Sequence, residues 1–319
     1  MATTTHPSVV DVGLPTQPEL DLRRNPLAAG VALWHLLSLD APTVAALWTW
    51  FLARANQIRL PGTAVLAMFL AVWILYAADR LLDSRPRAGG SPPLWELEAR
   101  HLFHRRHSAA FRVGVAVASV VLAAIVPHLA SASLRLYLVL GAALAAYFAL
   151  IHAQPAKGDR VPPHRLPKEL AVGVFFSAAA FIPTVSREPL LRIALLPAAV
   201  LFAALCSLNC LLIYAWEHPG AWEHPGRRWP GMHPATGFAL RCLIPMAMTI
   251  VMAGVLLALS DMRLPRPIPL GCALAAVLLL ALHGSRARLG PVTLRAAADL
   301  CLLTPLLLLP LLRSPLPRS

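Results

Sequence analysis

Apolar runs that recur along the whole chain constrain the fold more than any other feature. Residues 113–130, 136–151, 194–214 and 238–259 are almost wholly apolar, and each comes close to the roughly 20 residues a helix needs to cross a hydrocarbon core. Lipid offers no water to backbone N–H and C=O groups, so only helices or a closed barrel can span it. The runs lack the Asn-Gly turns and the alternating pattern of barrel strands, which leaves an all-α polytopic transmembrane bundle. Composition agrees, since the 319 residues are 58% hydrophobic and 13% charged, outside the range of soluble domains.

Hydropathy places nine spans, at 28–53, 61–82, 109–129, 134–153, 170–186, 190–215, 237–259, 267–283 and 296–312. The net charge of +13 then has an origin in loop topology and does not require nucleic acid. With the N-terminus on one side, that side receives 19 of the 28 Lys and Arg residues, and the other receives nine. Positively charged loops stay in the cytoplasm, so the N-terminus is expected inside, the C-terminus outside, and the chain in a cell membrane such as the bacterial inner membrane. Residues 1–26 have no signal-peptide pattern and read as a disordered cytoplasmic tail. Residues 27–313 form the transmembrane domain.

The five cysteines, Cys206, Cys210, Cys242, Cys272 and Cys301, sit in apolar runs, where a thiol behaves as a small hydrophobe. Residues 215–220 spell AWEHPG and 221–226 repeat it, which is too short for a solenoid unit and reads as a lengthened loop.

Ionisable side chains in spans are costly and point to interior sites. Asp40, Asp79, Asp83, Glu169, Glu217 and Asp299 qualify. All but Asp40 fall at the cytoplasmic ends of spans two, five, six and nine, where they could form one site. Asp79 and Asp83 are four residues apart and share a helical face. Two carboxylates so placed fit a hard divalent cation with phosphate oxygens as its other ligands; they equally fit rim charges paired with Arg80, Arg85 and Arg87. On the sixth span Asn209 and Glu217 share a broad face, as ligands or as a helix-packing amide and the start of a loop.

The stretch 73–83, WILYAADRLLD, resembles the first aspartate-rich motif of the UbiA superfamily of intramembrane prenyltransferases. Asp79 and Asp83 stand on its last two acids, and Leu75 and Tyr76 on its Asn and first Asp. Asn209, Ile213 and Glu217 are similar to the second motif at its polar ends. This resemblance implies a UbiA-like fold. It also implies transfer of an isoprenyl group from a Mg2+-bound isoprenyl diphosphate to a lipophilic, aromatic acceptor, with Asp79 and Asp83 as principal metal ligands and Asn209 and Glu217 as further ones. Lys168, Arg160 and Arg165 are candidate diphosphate contacts, as is Arg80, and Tyr76 could line the substrate pocket. Glu169 and Asp299 could support the site as partners of Lys168 and Arg295. No obligate protein partner is implied. A relative that has lost catalysis and only binds is the alternative that the replaced motif residues leave open.

His101, His104 and His107 recur at three-residue spacing, as a metal set or as a basic interfacial segment with Leu102 and Phe103 dipping inward. Asp40, expected near mid-membrane, and His35 could form the proton relay of a transporter, or Asp40 could cap a helix broken near Pro42.

Overall fold

The computed structural model describes residues 26–83, 99–152, 167–218, 233–260 and 264–312, so the expected tail and the AWEHPG repeat after residue 218 lie outside the described residues. These form 13 α-helices. In chain order they are α1 (Pro26–Leu36), α2 (Asp40–Ala55), α3 (Gly62–Asp83), α4 (Ala99–Arg106), α5 (Ser108–Ile125), α6 (Ser131–His152) and α7 (Lys168–Arg187). After them come α8 (Leu191–Ala194), α9 (Leu196–Glu217), α10 (Pro234–Arg241), α11 (Leu243–Leu259), α12 (Pro267–Ser285) and α13 (Pro291–Cys301). Six of the helices are long and apolar enough to cross a membrane, and up to eight crossings result if two sharply bent pairs count as one span each. The chain is a multi-pass helical membrane protein.

The bends are where proline dictates. Pro42 has no N–H for the Ser38 carbonyl four residues back, and its ring collides with that carbonyl; α1 and α2 meet at 88°. Pro245 stands in the same relation to Arg241, and α10 and α11 meet at 73°. Two of the nine expected spans are therefore broken helices. The ninth departs too, because α13 ends at Cys301 and continues as 3-10 turns at Thr304–Leu306 and Leu309–Leu312, where Pro305 and Pro310 prevent a regular helix. That segment still runs most of the way through the bundle. Arg295 is paired with Glu217 at the end of α9, whereas Thr304 donates to the Gly271 carbonyl in the first turns of α12. The Leu302 carbonyl, left over where α13 stops, accepts from Trp48 Nε1 at 2.8 Å, as buried non-helical backbone requires.

The long helix α9 lies at the centre. Phe202, Leu205, Leu208, Leu211 and Leu212 pack with Trp48 and Phe51 of α2 and with Ile268, Ala275 and Leu279 of α12. α7 runs antiparallel to α9 at very close range: a Cβ on Gly173 would stand 2.5 Å from the Ala203 carbonyl and nearer still to Ser207 Oγ. Small residues permit such an approach where helices gain little from apolar burial alone. On α5 and α6, Val113, Val117, Val120, Leu138, Val139 and Leu150 are exposed, an apolar surface suited to hydrocarbon.

Candidate functional site

The polar interior of the bundle gathers around the break between α1 and α2. Ser38 adopts φ 59°, the left-handed region that non-glycine residues seldom enter, and its buried hydroxyl lies 3.1 Å from Nε2 of His104 on α4. Carbonyls of the broken turn are bound from α3: Arg80 Nη1 donates at 2.8 Å to the His35 carbonyl, which also accepts from the Ser38 N–H, and Trp73 Nε1 donates to the Leu37 carbonyl at 3.1 Å. The broken turn is thus held in place by hydrogen bonds from two other helices.

Its consequence is to bring two ionisable side chains together. In an unbroken helix, residues five apart diverge by about 140°. Here His35 Nδ1 and Asp40 Oδ2 lie 2.5 Å apart, both groups almost fully buried. The other carboxylate oxygen of Asp40 accepts from the Ala41 N–H at 3.0 Å. Arg80 Nη2 approaches Asp40 Oδ2 to 3.7 Å, and its guanidinium lies over the Tyr76 ring, 4.5 Å from the centroid. From the other side, α13 presents Asp299, whose Oδ1 accepts from Asn209 Nδ2 of α9 at 2.9 Å. Ligand-capable atoms of His35, Asp40 and Asp299 all lie within 4.8 Å of one another. Nearer the helix ends, Arg295 pairs with Glu217. Around Asp40 and Asp299, the buried His35 Nε2, Arg80 Nη2 and Asn209 Oδ1 find no hydrogen-bond partner among the described residues.

The residues singled out from sequence divide accordingly. Tyr76, Arg80, Asn209 and Asp299 belong to the buried network, and Glu217 adjoins it through Arg295. Asp299 partners Asn209, while Arg295 partners Glu217. Asp79 is partly buried in the last turns of α3, and among the described residues no hydrogen bond or ion pair joins it to the cluster. Asp83 ends the same helix, and its side chain lies outside the described residues, as do Arg160 and Arg165. Lys168 is exposed in the first turn of α7, and Glu169 beside it accepts from Thr236 Oγ1 at 2.9 Å. His104 turns inward against Phe111, with ring centroids 4.1 Å apart, while Arg105, Arg106 and His107 are exposed; the side chains of His101 and Leu102 lie outside the described residues.

Asp40 is the largest displacement from expectation. A continuous first span would carry it to mid-membrane; the break sets it at the start of α2, level with Arg80 near the end of α3. Its partnership with Asp299 was not foreseen, and the available signal was Pro42 following Ser38 by four residues. Comparison with family models, with curated proteins and with solved structures finds no match.

Proposed function

We propose that this protein is an intramembrane transferase that moves an isoprenyl group from its diphosphate to a lipophilic, aromatic acceptor at the bundle end where α3 and α9 finish. The observation that carries the reading is the convergence of the two motif-bearing helices on one buried polar network. Arg80 of α3 meets Asp40, Asp40 faces Asp299, and Asp299 binds Asn209 of α9.

The carboxylates of Asp79 and Asp83 and the unpartnered Oδ1 of Asn209 are hard oxygen donors that fit Mg2+. Glu217 fits less well, because Arg295 already neutralises it. Bound Mg2+ would supply positive charge against the charge that develops on the departing diphosphate. The chain's own residues supply the remainder. Lys168, at the N-terminus of α7, adds a cation where the helix already favours anions, and Arg160 and Arg165 precede it in sequence. In the Tyr76–Arg80 turn the buried Ala77 and Arg80 help keep water from the reacting carbon.

Membranes containing the protein, given radiolabelled isoprenyl diphosphate and Mg2+, are expected to transfer label to an organic-soluble product. Asp79→Ala should lower that rate at least 100-fold; an unchanged rate would remove the proposal. The 2.5 Å His35–Asp40 pair favours a second reading, a proton relay in a transporter. Proton-coupled flux lost in Asp40→Asn, without any diphosphate turnover in the wild type, would select it. Binding of the diphosphate without turnover would select a non-catalytic binding protein.

A further inference from the structure

We propose that His35, Asp40 and Asp299 form a divalent transition-metal site, distinct from the α3 carboxylates to which the transferase reading assigns Mg2+. The three groups come from opposite ends of the sequence, yet their ligand-capable atoms lie within 4.8 Å of one another. Around a single ion with bonds near 2.1 Å, ligand atoms stand up to about 4 Å apart. Small side-chain rotations therefore close the set. One imidazole and two carboxylates suit Mn2+, Fe2+, Co2+ or Zn2+ better than Mg2+, which prefers oxygen alone. Three protein ligands also leave coordination positions open, as in sites where metals do chemistry.

The surroundings are those of ligands held for an ion. Asp40 Oδ1 is fixed by the Ala41 N–H and Asp299 Oδ1 by the Asn209 amide, so one oxygen of each carboxylate is oriented, and Asp40 Oδ2 stands against His35 Nδ1, another proposed ligand. Asn209, 5% exposed, spends its N–H on Asp299 and leaves Oδ1 buried without a partner among the described residues. The electrostatics require a cation. Asp40 and Asp299 bring two negative charges into a buried space, and Arg80, 3.7 Å from Asp40, offsets only one; like carboxylates so close do not both stay ionised unaided. Either a proton or a metal ion supplies the missing positive charge. An ion supplies one more than is missing, which leaves the metal and Arg80 together able to attract an anion. The αL turn at Ser38 points the same way, since strained residues in broken membrane helices mark ion and substrate sites.

The test uses full-length protein in detergent, freed of metal by chelator and then dialysed against Mn2+ or Co2+. The expected result is one ion per chain, with affinity falling at least tenfold in His35→Asn and in Asp299→Asn and unchanged in the Asp79→Ala, Asp83→Ala double variant. Circular dichroism and a single gel-filtration peak check the fold of each. Pulsed electron paramagnetic resonance of the Mn2+-loaded wild type should show nitrogen coupling from one imidazole, which decides the matter even if a variant does not fold. No metal bound by the wild type would mean that a shared proton alone fills the site, and the proposal would fail. It would fail equally if the bound ion showed no nitrogen coupling and was lost only with Asp79 and Asp83, an outcome that would leave the transferase reading standing.

Discussion

Arg80 donates to the His35 carbonyl, faces a buried carboxylate and rests on an aromatic ring, so its removal costs several interactions at once and strands the Asp40 charge. Arg80→Ala should destabilise the protein by about 3–5 kcal/mol, the usual cost of stranding one member of a buried ion pair. Arg80→Lys should recover only part of this, since an ammonium lacks the fork that reaches both the carbonyl and the carboxylate. Lys168→Ala, at an exposed position, should stay within about 0.5 kcal/mol of the wild type. Thermal unfolding in detergent checks all three, and an Arg80→Ala midpoint equal to that of Lys168→Ala would contradict the network. At this scale the sequence was legible in kind but not in direction. Four-residue spacing put Asp79 and Asp83 on one face, yet Arg80, about 100° of rotation from Asp79, is the residue of that turn that enters the buried network. Which face of an apolar helix turns inward depends on neighbours that hydropathy does not identify. Asn209 and Asp299 were recognisable as polar residues out of place in apolar runs, but their bond joins residues 90 apart in the chain, and no local pattern records it.

Helix by helix, proline and glycine do most of the shaping. The break before α2 needs Pro42 and a residue at Ser38 able to hold φ 59°. Ser38→Gly relieves that backbone while losing the contact with His104, and should change stability little. Ser38→Val combines β-branching with a left-handed conformation and should cost more than about 1 kcal/mol. Equal melting temperatures for the two variants would argue against the bend. Gly173→Ala forces a methyl group against the Ala203 carbonyl and Ser207, so α7 and α9 must separate at a cost of about 1–3 kcal/mol; an unchanged melting temperature would mean the helices pack less closely. The long apolar runs of α5 and α6 were readable almost to their ends. Runs with a proline near one end were read as straight spans because hydropathy averages over the interruption. The mid-membrane placement of Asp40 failed for that reason, whereas the alternative of a helix broken near Pro42 agrees with the bend; the meeting with Asp299, from the far end of the chain, had no local signal.

For the whole molecule, the path of the chain sets its orientation. α1 lies nearly perpendicular to α2, across the end of the bundle that carries the polar network, and the last described segment runs from the Glu217 level to that of Gly271. Counted as a ninth crossing beside the eight made by the helices before it, that segment puts the N- and C-termini on opposite sides in reporter fusions, with the N-terminus cytoplasmic by the distribution of Lys and Arg; reporters on the same side would mean that α13 and the turns after it turn back. The multi-pass helical architecture was legible because lipid permits few alternatives, whereas the chemistry of the site depends on tertiary contacts. The most direct test of the central claim is equilibrium binding of a radiolabelled isoprenyl diphosphate to the detergent-purified protein, with and without Mg2+. Saturable, Mg2+-dependent binding by the wild type, lost in the Asp79→Ala, Asp83→Ala double variant, is the predicted result. Absence of binding by folded wild-type protein across several chain lengths would contradict the assignment as an isoprenyl transferase.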